Sequence, residues 1–204
     1  TITVPTEVAD WHDGDLGQRA AYVLASLIDY YRYSGDPAAI SLLWVFADFL
    51  IDHCQTPADH PWPSFLISCP TKGKHYAKAD PTGHIQLDIV AEAGTELVRA
   101  YQLTGNKRWL DAALHWAELL AEKRSREPGK PPWGRYANPQ DVPWGKSPTG
   151  NLQTGGVAFL LAFFDQLIRI GCTGANDCLV EAREAVREYL RDQLLPLWTV
   201  DDTW

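Results

Sequence analysis

The chain has 204 residues, of which 46% are hydrophobic, and a formal net charge of −8. A chain of this length and composition can bury one sizeable core, and nothing in it is typical of disorder. The acidic balance argues against nucleic acid as a partner, because nucleic-acid binders need a broad basic surface. Apolar runs such as residues 157–164 fall far short of the roughly 20 residues of a membrane span, so no membrane segment is predicted.

The first predicted helix covers residues 16–33 and ends at a turn that reads Ser34-Gly35-Asp36-Pro37. Glycine is typical of a helix C-terminus, Asp caps the helix that follows, and Pro fits the first turn of that helix. The turn therefore predicts a helical hairpin, and the first repeat covers about residues 12–54.

Two more hairpins are predicted downstream. Residues 84–103 and 109–123 flank Gly105 in the second, and residues 152–170 and 178–195 flank Gly174 in the third. The turn glycines Gly35, Gly105 and Gly174 are 70 and 69 residues apart, and no strand pattern competes with the helical periodicity. The second and third repeats cover about residues 82–123 and 149–198.

A short motif opens each repeat. Pro81-Thr82-Gly83-His84-Ile85-Gln86 and Pro148-Thr149-Gly150-Asn151-Leu152-Gln153 share Pro-Thr-Gly, an aliphatic residue and Gln. A weaker copy is found at residues 13–18. A fixed period of this kind is typical of repeat architectures, so the repeating unit is a hairpin and a long loop.

The two helices of a unit differ in character. Residues 20–28 and 157–164 are apolar nearly all round and predict inner helices, whereas the last helix carries charges on one side and predicts an outer helix. Alternating inner and outer helices predict an all-α fold, either an α-solenoid or an (α/α) toroid, with residues 1–204 as a single domain. Connections of roughly 27 residues, at 55–81 and 124–149, favour the toroid, because loops that long are usually functional.

The hairpin turns carry two sequences that resemble a known superfamily. They read Tyr-Arg-Tyr-Ser-Gly-Asp at 31–36 and Tyr-Gln-Leu-Thr-Gly-Asn-Lys-Arg-Trp-Leu-Asp-Ala-Ala at 101–113. These turns are similar to those of the six-hairpin glycosidase superfamily, and the resemblance covers about residues 15–195. It implies a carbohydrate-active enzyme with a cleft on the loop face. Because such toroids close with more hairpins, the chain is expected to be an incomplete six-hairpin barrel, a fragment of a larger toroid.

Glycoside hydrolysis is the first expected chemistry. It needs two carboxylic acids across a cleft, and the pKa of one of them must be raised. The acids closest to the predicted inner-helix starts are Asp13 and Asp15 before the first and Asp88 in the second. Asp88 opens a polar stripe with Glu92, Thr95 and Arg99 that should face the central funnel. The alternative role for Asp13 and Asp15 is helix capping.

Polysaccharide lyase chemistry on an anionic uronate polymer is the alternative. It uses a Tyr, His or Lys base in β-elimination and a cation to neutralise the carboxylate. Exposed lysines on a loop are otherwise simply solvated. The side chains that suit elimination are Lys72, Lys74, His75 and Tyr76 in the first long loop and Arg135 and Tyr136 in the second.

Sugar binding is expected from loop aromatics and planar polar groups. Trp62, Trp133 and Trp144 lie in loops beside Pro or Gly, where they line the cleft or pack onto the rim. Gln86 and Gln153 occupy equivalent repeat positions, where they contact substrate or brace the long loops.

Other properties complete the expectation. The partner is a polysaccharide or oligosaccharide, together with the remainder of the toroid, and the location is extracellular or periplasmic. No cofactor and no metal site is predicted. Cys54, Cys69, Cys172 and Cys178 suit two short-loop disulfides or four thiols equally. The rival hypothesis is a non-catalytic helical-repeat binding protein.

Overall fold

A computed structural model describes residues 16–67, 85–127, 130–135, 137 and 154–196. No strand occurs among these residues, so the predicted all-α fold is confirmed, as are its helical hairpins. A short 3-10 turn (Ala175–Asp177) precedes the last α-helix, and a π-helical segment (Leu190–Leu194) follows it. The six α-helices of the described residues are α1 (Leu16–Ser34), α2 (Pro37–His53), α3 (Leu87–Thr104), α4 (Lys107–Lys123), α5 (Thr154–Arg169) and α6 (Cys178–Tyr189).

The first two hairpin turns are built alike. Gly35 and Gly105 adopt positive φ angles of 68° and 74°, which glycine tolerates without a steric penalty. The Asp36 carboxylate then accepts a hydrogen bond from the N–H of Ala38 at 2.9 Å, and Asn106 caps α4 in the same way. Local chemistry therefore determines both turns.

The inner helices α1, α3 and α5 form one parallel row in which α3 packs between the other two. The Arg99 Nη2 of α3 lies 2.6 Å from the Asp29 Oδ1 of α1. On the other side, Gln166 of α5 donates a hydrogen bond to Gln102 of α3 at 2.6 Å. Each contact joins the C-terminal halves of two helices. The three helices therefore begin at the same end of the row, as the repeat predicts.

Only the central helix is covered on nearly every side. The residues of α3 are buried except for a half-buried polar stripe and its last turn, whereas α1 exposes Tyr22 and Tyr30, and α5 exposes Ala158 and Ala162. Within the described part of the chain, α1 and α5 each have one inner neighbour. Residues 20–28 and 157–164 predicted inner helices, and α1 and α5 do belong to the inner row, but each exposes the side that faces away from α3. Closure into a ring remains a prediction.

The outer helices are displaced along the row. Arg108, at the start of α4, forms ion pairs with Asp48 at 3.1 Å and with Asp52, both near the end of α2. Arg124, just after α4, pairs at 2.8 Å with Glu181 in the first turn of α6. Each outer helix thus begins beside the end of the one before it, an arrangement that the repeat spacing does not predict.

The beginning of the first long connection packs tightly on α4. The Trp116 indole donates a hydrogen bond to the Ser64 carbonyl at 3.0 Å, and the His115 Nε2 lies 2.8 Å from the Pro63 carbonyl oxygen. The buried Thr56 hydroxyl accepts a hydrogen bond from the N–H of Phe65. Residues 62–67 therefore pack against the core, whereas 57–59 and Pro61 stay exposed.

The described cysteines carry free thiols. Cys54, Cys172 and Cys178 are all unbridged, which matches the alternative of thiols rather than a short-loop disulfide between Cys172 and Cys178. Burial raises the pKa of the Cys54 thiol to about 12, as expected when a charged thiolate would have to be desolvated. Cys69 lies outside the described residues.

Candidate functional site

The start of α3 is joined to the second long connection by backbone hydrogen bonds. The N–H of Leu87 donates to the Arg135 carbonyl at 3.0 Å, and the N–H of Ala137 donates to the Ile85 carbonyl at 3.0 Å. This short pairing brings residues about fifty positions apart in the chain to one place. It sets the side chains of Gln86, Asp88 and Arg135 around the first turn of the central inner helix.

Asp88 is a buried carboxyl group in the first turn of α3, with only 7% of its surface exposed. Its Oδ1 accepts a hydrogen bond from the N–H of Ile89 at 3.1 Å. Burial raises the pKa of Asp88, while the Arg135 charge and hydrogen bonds from Gln86 and Ile89 offset part of the rise. Desolvation therefore dominates, and the carboxyl stays protonated to a higher pH than an exposed Asp.

The polar partners of Asp88 come from two directions. Gln86 is 4% exposed and directly precedes α3, and its side chain forms a hydrogen bond with the Asp88 carboxyl group. Arg135 is half-buried and reaches the site from the second connection. A protonatable carboxyl, an amide and a guanidinium therefore converge at the end of the inner row where the helices begin. These groups can donate protons or hydrogen bonds and can bind an anionic or hydroxyl-rich ligand.

A second polar cluster lies deeper along α3. Arg99 bonds to Glu96 at 2.7 Å and to Asp29 of α1 at 2.6 Å. Burial raises the pKa of Glu96, and its contacts with Arg99 oppose that rise. Because Arg99 pairs with Glu96 of its own helix and with Asp29 of α1, this cluster links α1 to α3.

Two predicted sugar-binding tryptophans are packed in the interior. Trp62 and Trp133 are 6% and 4% exposed. The Trp133 indole donates to the Leu120 carbonyl at 2.9 Å, and the Trp62 ring lies 4.8 Å from that of Phe65. Neither ring presents a face on which a sugar could stack. Their burial matches the alternative of loop tryptophans packed onto the fold, because the connections fold back onto α4.

Gln86, Asp88 and Arg135 are the predicted site residues that the structure brings together. The sequence assigned Asp88 and Arg135 to different chemistries, and no local pattern links them; only the backbone pairing does. The residues outside the described ranges are Asp13, Asp15, Lys72, Lys74, His75, Tyr76, Tyr136, Trp144 and Gln153.

Neither a metal-binding cluster nor a helix that could cross a membrane is found among the described residues. Over residues 16–67, 85–127, 130–135, 137 and 154–196, no group of three or more His, Cys, Asp or Glu side chains is arranged to hold a metal ion. None of the helices in these ranges combines the length and the apolar character that crossing a bilayer requires.

The raised pKa of Asp88 predicts a pH dependence of stability. The folded state binds this proton more tightly than the unfolded state, so the contribution is complete below the ordinary pKa of 3.8 and is lost as pH rises through the folded pKa. Asp88→Asn abolishes the titration. The free energy of unfolding of the variant, relative to wild type, should therefore increase across that interval. Urea unfolding at a series of pH values measures it.

Arg135→Gln is the companion variant for this titration. Without the guanidinium, the pKa of Asp88 should rise further, and the interval in which wild-type stability is lost should extend to higher pH. The burial of an ionisable group at this position would be contradicted if the free energy of unfolding of Asp88→Asn, relative to wild type, stayed constant with pH or fell as pH increased.

Comparisons of the chain with protein-family models, with curated proteins and with solved structures found no match.

Proposed function

We propose that the chain forms part of a carbohydrate-cleaving enzyme and that Asp88 is the general acid of a glycoside hydrolase site. The observation that carries the proposal is a buried carboxyl of raised pKa placed with Gln86 and Arg135 at the start of the central inner helix. A general acid must be protonated near the working pH, and burial is the usual way in which a carboxyl group reaches that condition.

Each described residue has a role in this proposal. Asp88 donates its proton to the glycosidic oxygen as the C–O bond breaks, and Gln86 keeps the carboxyl in position. Arg135 stabilises the carboxylate left after proton transfer, because the ion pair forms only in the charged state. Hydrolysis also needs a second carboxylate, and Asp13 or Asp15 is the expected source. The proposed location is extracellular or periplasmic.

Polysaccharide lyase activity is the second candidate, favoured by Arg135 alone. A guanidinium can bind the uronate carboxylate of an anionic sugar, often through two hydrogen bonds. The base would then come from His75 or Tyr76, with Lys72 and Lys74 attracting the polymer. In that case Asp88 holds Arg135 in place rather than transferring a proton.

The test is turnover of a panel of neutral polysaccharides and uronate polymers by the wild type, Asp88→Asn and Asp111→Asn. Asp88→Asn should lower the rate by about 10²- to 10⁴-fold, the usual contribution of a general acid. Asp111 is exposed on the outer helix α4, so Asp111→Asn is the matched control and should keep the wild-type rate.

The products separate the candidate reactions. Hydrolysis creates only new reducing ends, whereas elimination also creates an unsaturated product that absorbs ultraviolet light. Full activity in a folded Asp88→Asn variant would refute the role of Asp88. Binding of a polysaccharide without any turnover would instead support the non-catalytic binding protein.

A further inference from the structure

A cavity lies between the segment that follows α4 and the last helix, and its lining includes none of Gln86, Asp88 and Arg135. Its volume is about 300 Å³, at the lower end of the range for small-molecule sites. One wall is formed by residues 124–127, Lys130 and Pro132, and the other is a face of α6 continued by the π-helical segment. Short π-helical segments are rare and frequently occur at functional sites.

The two walls are held together at one edge by Arg124. This residue has a side chain only 8% exposed and pairs with Glu181 at 2.8 Å, and it also donates to the Ala121 carbonyl at 2.8 Å. Its charge is therefore already paired within the fold. The arrangement fixes the segment against α6 and leaves the rest of the cavity open between the walls.

The other charged residues of the lining differ between the two walls: the segment is net positive, and the helix wall is negative. The segment contributes Arg126, Lys130 and Glu127, a net charge of +1, and α6 contributes Glu188. Asp192, at the far end of the helix wall, is already bonded to Arg191 at 2.6 Å and 2.8 Å. Among the described residues, no ion pair joins the cations of the segment to Glu188 across the cavity.

We infer that this cavity binds a small zwitterion of about amino-acid to dipeptide size. Its carboxylate lies toward Arg126 and Lys130, and its ammonium group lies toward Glu188. Such a ligand meets both walls with the opposite charge, whereas an anion or a cation alone can pair with only one of them. Tyr189, on the helix wall, adds aromatic surface to the lining. The site is independent of the proposed carbohydrate site.

Calorimetric titration with glycyl-tyrosine and two analogues tests the inference. N-acetyl-glycyl-tyrosine lacks the ammonium group, and glycyl-tyrosinamide lacks the carboxylate. The wild type should bind the zwitterion about tenfold or more tightly than either analogue, because each loses one charged hydrogen bond. Asp88→Asn should leave all three affinities unchanged.

Two variants test which wall binds the ammonium group of the ligand and which binds its carboxylate. In Glu188→Gln, the preference for glycyl-tyrosine over the acetylated analogue should disappear while the preference over the amide remains. In Arg126→Gln/Lys130→Gln, the preference for glycyl-tyrosine over the amide should disappear while the preference over the acetylated analogue remains. Glu184→Gln, on the same helix but paired with Arg187, is the control and should behave as the wild type.

Three results would overturn the inference. They are no heat of binding of glycyl-tyrosine to the folded wild type at millimolar concentration, equal affinity for all three compounds, and charge preferences that survive in both wall variants. Circular dichroism confirms that each variant is folded, and if one wall variant fails to fold, the other still tests its own half of the assignment.

Discussion

Replacing Trp116 with alanine is expected to lower the free energy of unfolding by roughly 3–5 kcal/mol, the range for deleting a large aromatic side chain from a core. Trp116 is fully buried in α4. Its indole N–H also holds the Ser64 carbonyl at 3.0 Å. The substitution therefore leaves a cavity and removes a hydrogen bond that fixes the first long connection.

Trp44→Ala is the matched control for this substitution. Trp44 lies on α2 with 43% of its surface exposed, and its ring contacts that of Trp109 edge-on at 4.8 Å. Its loss should cost about 1 kcal/mol, because only part of the side chain leaves an apolar environment. Denaturant unfolding of the two variants measures the difference. Equal losses would mean that residues 62–67 do not pack on α4.

Replacing Gly94 with alanine is expected to lower the free energy of unfolding by roughly 1–3 kcal/mol, the usual cost of overpacking a core. A Cβ at this position would lie 2.4 Å from Cζ of Phe163, which is closer than two carbon atoms can approach. Phe163 is fully buried and stacks on Phe164 at 6.2 Å. The ring therefore cannot move aside without disturbing α5.

Gly155→Ala tests the same chemical change where there is room. A Cβ on Gly155, in the first turn of α5, has no neighbour within 4 Å, so this variant should unfold like the wild type or slightly later. Phe163→Leu combined with Gly94→Ala should cost less than the sum of the two single changes, because the ring that obstructs the new methyl group is gone. Additive losses would contradict the close approach of α3 and α5.

The loop tryptophans are buried where their position in the sequence suggests exposure. Loop position suggests exposure, and Trp62 and Trp133 both lie beside proline or glycine. The structure places both indoles in the core, where each connection folds back over α4. A sequence shows that a loop is long, but the path of the loop depends on contacts between distant residues.

At the candidate site too, the sequence indicates the residue, and contacts between distant segments decide its surroundings. The sequence identifies Asp88 as an acid at the start of an inner helix in a polar stripe that should face the central funnel, and the structure buries it there. Its proximity to Arg135 depends on two backbone hydrogen bonds between segments far apart in the chain. No side-chain pattern near either residue indicates that pairing, so neither the raised pKa nor its partial offset could be predicted.

From the sequence alone, one can determine the hairpins, their turns at Gly35 and Gly105, and the parallel row of inner helices. Capping, left-handed glycines and apolar periodicity act over a few residues, and the repeat carries them along the chain. The tertiary structure alone decided the offset of the outer helices, the open sides of α1 and α5, and the cavity beside Glu188. These features depend on how distant surfaces fit together, which short-range chemistry does not specify.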